Sequence, residues 1–136
     1  MTEPFDQAPP SWALGDQWRR DLHELLQRMD RDVEAIIVEG PNDRQALRDT
    51  GVTTSIHMCS RSNGLVGFAT SVDADSIAIL TDYDDHGRGL NGKLRELLPD
   101  AHVASRWRRE LGLHLTQRGH YDIESINNVF GSRFHR

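Results

Sequence analysis

The chain has 136 residues, with 21 acidic side chains against 16 arginines and lysines and a net charge of -5. That length supports one domain with a modest core. The charge leaves no overall basic footprint for nucleic acid, so any such binding must use a local patch or a metal ion. A single cysteine, Cys59, excludes an internal disulfide and a cysteine-rich zinc site, and it suits a small buried strand residue. No stretch reaches the apolar length of a membrane span, and "MTEPFDQAPPSW" lacks the basic-then-apolar order of a signal peptide. The expectation is a soluble cytoplasmic protein with no membrane partner.

In chain order, residues 1–15 are proline-rich and predict a flexible arm, followed by a single domain over 16–136. Apolar residues at Trp18, Leu22, Leu25, Leu26 and Met29 predict a helix over Asp16–Arg31, with Arg19, Arg20, Glu24 and Arg28 on its other face. "VEAIIVEG" is apolar on both faces and predicts a buried parallel strand ending in Glu39-Gly40. Asn42 to Thr50 predicts a short helix with Asn42 as its N-cap. "TTSIHMCS" and "SIAILT" predict further strands, with a loop and a short helix between them. Gly87 to Leu98 predicts a helix, "AHVAS" a short fourth strand, and Arg106–Leu115 and Ile123–Phe130 the closing helices, within a C-terminal region spanning 105–131.

Strands alternating with helices at this spacing indicate an α/β domain with a mostly parallel four-stranded sheet and helices on both faces, the N-terminal helix being an addition. In such folds the ligand site lies at the carboxyl ends of the strands. The acids collect there, with Glu39 after the first strand and Asp82 and Asp84 after the third. Side chains at i and i+2 of an extended segment point the same way. Asp82 and Asp84 can therefore converge while Tyr83 turns away. Two converging carboxylates repel each other unless a cation separates them or one is protonated. Mg²⁺, with Mn²⁺ as an alternative, suits such a hard oxygen site. Glu39 could add a third carboxylate or serve as a general acid or base. Asp-x-Asp also suits a solvated turn with helix caps.

"IIVEGPNDRQAL" taken with "IAILTDYDDHGRG" resembles the Toprim domain of topoisomerases, bacterial-type primases, OLD-family nucleases, recombination-repair proteins and the ribonuclease that matures 5S ribosomal RNA. The resemblance covers the core motifs over residues 33–103 and is closest to the maturase and primase branches. It implies a Rossmann-like Toprim fold, with Asp82 and Asp84 as Mg²⁺ ligands. Glu39 would be the general acid or base or a further ligand, and Asp43 an auxiliary acid. Several topoisomerases carry one more acid where this chain has His86, and Asp85 would be its stand-in. The resemblance further implies nucleic acid, RNA or DNA, as the partner and phosphodiester cleavage as the reaction.

Gly40 would let the turn after Glu39 pass close to the metal, and Gly87 and Gly89 would open backbone N–H groups toward a phosphate, although ordinary turn chemistry explains them equally. Arg88 would contact a phosphate or pair with Asp84 or Asp85. Arg106, Arg108 and Arg109 around Trp107 would form a phosphate-binding surface, or else the solvated face of a helix that buries Trp107 and Leu111. Two other readings fit the residues. One is a non-catalytic Mg²⁺- and nucleic-acid-binding module within a larger primase- or repair-type assembly, which leaves room for a protein partner or a homo-oligomer. The other is an aspartyl-phosphate protein, which wants a lysine after a later strand, whereas the sole lysine, Lys93, falls inside a predicted helix.

Overall fold

A computed structural model describes residues 17–61 and 64–127. The expected arm over 1–15 and the helical reading beyond residue 127 lie outside the described residues.

The elements run α1 (Gln17–Asp32), β1 (Ala35–Val38), α2 (Pro41–Asp49), β2 (Ser55–Met58), α3 (Leu65–Ser71), β3 (Ser76–Ile79), α4 (Asp85–Leu97), β4 (His102–Val103) and α5 (Ser105–Thr116). Short 3-10 turns follow β2, over Cys59–Arg61, and α5, over Ile123–Ser125. The four strands form one parallel sheet in the order β2-β1-β3-β4. This is the α/β parallel arrangement expected from the strand–helix alternation, and it is consistent with a Rossmann-like fold.

Burial explains the layering. Ile36, Val38, Ala78 and Leu80 face a layer containing α1, α2 and α5, with Leu22, Leu26, Leu47, Leu111 and Leu115 packed there. Ala35, Ile37, Ile77 and Ile79 face the opposite layer, where Phe68, Ala69 and Leu94 supply the contacts from α3 and α4. Each leucine buried this completely contributes roughly 2 kcal/mol of transfer free energy. The continuous apolar run of β1 is thus required by position, because its four residues are buried on both faces. The step from β1 to β2 runs one way with α2 on one face. The later steps run the other way with α3 and α4 on the other face, as right-handed crossovers demand.

α1 ends one residue later than its periodicity suggests, and it docks against α5. Two indole bonds fix that docking. Trp18 Nε1 donates to the His114 carbonyl at 3.1 Å, and Trp107 Nε1 donates to Asp32 Oδ2 at 2.7 Å. The cap of α2 is Gly40, not Asn42, because Pro41 occupies the first helical position, where its fixed φ and missing N–H fit. α4 starts at Asp85, two residues before the expected glycine, and this makes Asp84 its N-cap. No described helix is long and apolar enough to cross a membrane.

Candidate metal and catalytic site

The chain turns from β1 toward β2 on one side, while β3 lies on the other. The loops after β1 and β3 therefore diverge, and a crevice opens at the carboxyl ends of these neighbouring strands. Glu39 leaves β1 at this point and Asp82 follows β3. The Asp82 N–H donates to Glu39 Oε2 at 2.9 Å, so the two acids meet across 43 positions of sequence.

The cleft measures about 300 Å³ and is lined by Glu39, Gly40, Pro41, Asn42, Asp43, Ser60, Asp82, Asp122 and Glu124. Five of these nine side chains are carboxylates and none is basic. Asp43 is buried in the first turn of α2 and accepts the Gly40 N–H at 3.1 Å, reaching back over the helix start. Asp82 is half-buried, and its Oδ1 accepts the Ile123 N–H at 2.9 Å, which leaves Oδ2 for another partner. Glu39 Oε1 stands 3.7 Å from Nε2 of the exposed His86.

The electrostatics follow from this crowding. Burial first, then repulsion from Glu39, Asp43 and Asp122, pushes the Asp82 carboxyl up from 3.8 to about 7, against the opposing hydrogen bond from Ile123. Burial also raises the Asp43 carboxyl, opposed by its Gly40 bond and reinforced by Glu39, Glu124 and Asp122. Cys59 is buried nearby, and burial followed by the Glu39 charge raises its thiol, which suits the structural role read from the sequence.

The other expected site residues are placed differently. Asp84 does not line the cleft; its Oδ1 accepts the Gly87 N–H at 2.7 Å and caps α4. Asp85 pairs with Arg88, whose second nitrogen donates to the Tyr83 carbonyl at 2.7 Å. Gly87 has its N–H committed to Asp84, and it must be glycine for a different reason than phosphate contact. A Cβ there would stand 2.1 Å from the Asp82 carbonyl oxygen. Gly40 needs no glycine geometry, since its φ of -151° is extended and a Cβ would meet only Ser60 Oγ, at an ordinary 3.5 Å. Gly89 has open space around it.

Arg108 serves as a stitch for the acid loop. Its guanidinium donates to the Thr81 carbonyl and hydroxyl, both at 3.2 Å, and to the Asp82 carbonyl, and it lies 4.6 Å from the Tyr83 ring centre. Burial, ahead of the neighbouring Arg88 charge, lowers its pKa. Tyr83 does turn away from Asp82. It packs into the layer of α5, where Gly112 gives its ring room and the Arg108 carbonyl accepts its hydroxyl at 2.7 Å. Arg106 pairs with Glu110 and covers the Trp107 ring, at 4.4 Å from its centre. Arg106 and Arg109 line a separate cleft of about 400 Å³ with Asp32, which precedes β1, and with β4, which pairs with the first two residues of β3; it shares no lining residue with the acid cleft. Lys93 is exposed within α4, away from any strand end.

Asp122, Glu124 and Ser60 are the cleft residues that motif reading missed. Asp122 and Glu124 flank Ile123, so the alternation of two acids about a buried isoleucine was the available signal. Nothing local in "YDIES" connects it to residues 39 and 82.

Among the described residues, no group of three histidine, cysteine, aspartate or glutamate side chains stands ready to hold a metal ion. The donor set nevertheless fits Mg²⁺, which is commonly held by one or two carboxylates with waters and substrate phosphates completing its shell. Glu39 and Asp82 each keep one oxygen outside their mutual and backbone bonds.

No family model matches the sequence. The chain is 35% identical over 114 residues to a UPF0292 protein of Thermococcus onnurineus, the alignment covering 81% of each. It is 33% identical over 112 residues to a UPF0292 protein of Thermococcus sibiricus, covering 81% of this chain and 86% of that one. A UPF0292 protein of Pyrococcus furiosus is 35% identical over 77 residues, and that match spans 59% of its length. A solved structure of a protein from Aquifex aeolicus superposes with a TM-score of 0.63 at 24% identity, covering 78% of this chain and 95% of that one. At that identity the likeness is one of fold.

Proposed function

The chain belongs to the UPF0292 family, and we propose for it a Mg²⁺-dependent protein of the Toprim kind that cleaves phosphodiester bonds in RNA or DNA. The observation that carries this reading is the meeting of Glu39 and Asp82 at the carboxyl ends of adjacent strands, in a cleft lined by carboxylates without a counter-cation. Each acid accepts one backbone N–H, but bringing their charges together is unfavourable, since they repel one another. A divalent cation relieves that repulsion and draws a phosphate to the same place.

Glu39 and Asp82 would hold the ion through Oε1 and Oδ2, with Asp43, Asp122 and Glu124 reached through water. When bound, Mg²⁺ would neutralise phosphate charge and favour the leaving oxygen. Alternatively, with Asp82 alone holding the ion, Glu39 Oε1, beside His86, would manage the proton of the attacking water. Arg106 and Arg109, which line a separate cleft beside β4, would carry a more distant stretch of the nucleic-acid backbone.

Labelled single- and double-stranded RNA and DNA, incubated with Mg²⁺, test the reading. Wild-type protein should cut at least one substrate. Glu39→Gln should bind it and lose cutting by two orders of magnitude or more, the scale of general acid–base catalysis being about 10²–10⁴-fold. Binding without cleavage by the wild type would instead make the domain a Mg²⁺- and nucleic-acid-binding module.

A further inference from the structure

We infer that the backbone N–H of Ile123 is a positioning group of the site, and that the segment from Tyr121 to Asn127 completes it by aiming the Asp82 carboxylate. This inference rests on the reading of Glu39 and Asp82 as the ion-holding pair.

Three backbone donors orient three acids. Gly40 N–H holds Asp43 Oδ2, Asp82 N–H holds Glu39 Oε2, and Ile123 N–H holds Asp82 Oδ1. The first is local to the start of α2, and the second links the loops after β1 and β3. The third comes from 41 residues further along the chain. Without it the main chain of Asp82 would still be fixed, by Glu39 on its N–H and Arg108 on its carbonyl. Its side chain, however, would be free to rotate, and Oδ2 would have no set direction.

The donor is rigidly mounted. Ile123 and Ile126 are fully buried in the same layer as α2 and α5. The Tyr83 N–H donates to the Tyr121 carbonyl at 2.7 Å, which ties the segment to the acid loop a second time. Asp122 accepts from the Ser125 N–H at 2.9 Å and sets the turn that follows. Burying Ile123 also turns its neighbours Asp122 and Glu124 to the cleft. Groups that orient a metal-ligating carboxylate affect affinity by about 10–100-fold when removed.

The local conformation allows a clean test. Ile123 is the first residue of its 3-10 turn, and Asp122 before it is extended, at φ -132° and ψ 158°. Proline is tolerated at such a position and requires an extended residue before it, so Ile123→Pro removes the donor with little backbone cost. Ile123→Val keeps the donor and removes one methylene. Calorimetric titration with Mg²⁺ should show Ile123→Val within about twofold of wild type and Ile123→Pro weakened about tenfold or more, with both variants retaining the far-ultraviolet spectrum of the parent.

Equal Mg²⁺ affinity for the two variants would overturn the positioning role while leaving the ion-holding pair intact. A wild type that binds no Mg²⁺ would overturn the pair itself, and the positioning role with it. Should Ile123→Pro not fold, the wild-type protein decides the matter by nuclear magnetic resonance. The Ile123 amide should then be protected from exchange and shift on Mg²⁺ addition. An amide that stays still while the Glu39 and Asp82 resonances move would refute the inference.

Discussion

Replacing Asp82 with asparagine should make the metal-free protein more stable, although it removes a residue placed at the centre of the site. The Asp82 carboxyl is held up at about 7 by burial and by the surrounding acids. Because its pKa in the folded state exceeds its ordinary value of 3.8, the protonated form favours folding. That contribution is fully present below 3.8 and is lost as the pH rises through about 7. At about 1.36 kcal/mol per pH unit, the gap sets a ceiling of roughly 4 kcal/mol on the cost of the charge. The carboxylate is only half-buried, so screening by water brings the working figure to about 1–2 kcal/mol. Asparagine avoids the charge and still offers Oδ1 to the Ile123 N–H. For a chain of this size, the melting temperature of Asp82→Asn should exceed that of wild type by about 3–8 °C near pH 8 in chelator. The advantage should shrink toward pH 4.5 as the wild-type carboxyl takes up its proton. Paired thermal melts at the two pH values read this directly. An advantage independent of pH, or a loss of stability at pH 8, would show that the acid is not under the strain the geometry implies.

The glycines of α4 offer an internal contrast. Gly87→Ala places a methyl group on the Asp82 backbone carbonyl and should cost about 2–4 kcal/mol in urea unfolding. Gly89→Ala meets open space and should gain up to about 1 kcal/mol from helix propensity. Equal effects of the two would refute the close approach. Asp30, in α1, accepts from the Thr53 N–H and hydroxyl and from the Thr54 N–H, at 2.8–3.0 Å. Burial pushes its carboxyl up, but the Thr54 and Thr53 bonds outweigh it and hold the pKa below its ordinary value. The stability it contributes is therefore present above the ordinary carboxylate pKa and lost as the pH falls through the lowered one. Asp30→Ala should cost about 1–2 kcal/mol near neutral pH, with the difference from wild type narrowing in acid; a pH-independent cost would count against the assignment.

The sheet was legible because each strand is a short apolar run set between turn residues, and because buried parallel strands tolerate no polar interruption. Glu39 and Asp82 were legible for the same reason, as they are the first acids beyond those runs. Asp84 was read by strand geometry, yet the strand has ended there and the helix has begun. The relevant pattern was an aspartate three residues before Gly87, which is capping spacing. Arg108 looked like a surface cation because it stands in an arginine-rich run, whereas its acceptors lie on Thr81 and the Asp82 backbone. Asp122 and Glu124 depend on where the last segment crosses the sheet edge, and periodicity carries no such information.

The cleft draws on four stretches of chain, around Glu39, Ser60, Asp82 and Ile123, and the bonds joining Glu39 to Asp82 and Asp82 to Ile123 span 43 and 41 positions. No fragment formed early in synthesis contains the assembled acids, since the last backbone donor arrives after α5. Cation binding at the proposed site would therefore report on completed folding, and a bound ion would stabilise the whole chain against partial opening rather than any one motif. Hydrogen exchange at residues 36–38, 78–80 and 123 should accordingly slow together when Mg²⁺ is added, as a single cooperative unit.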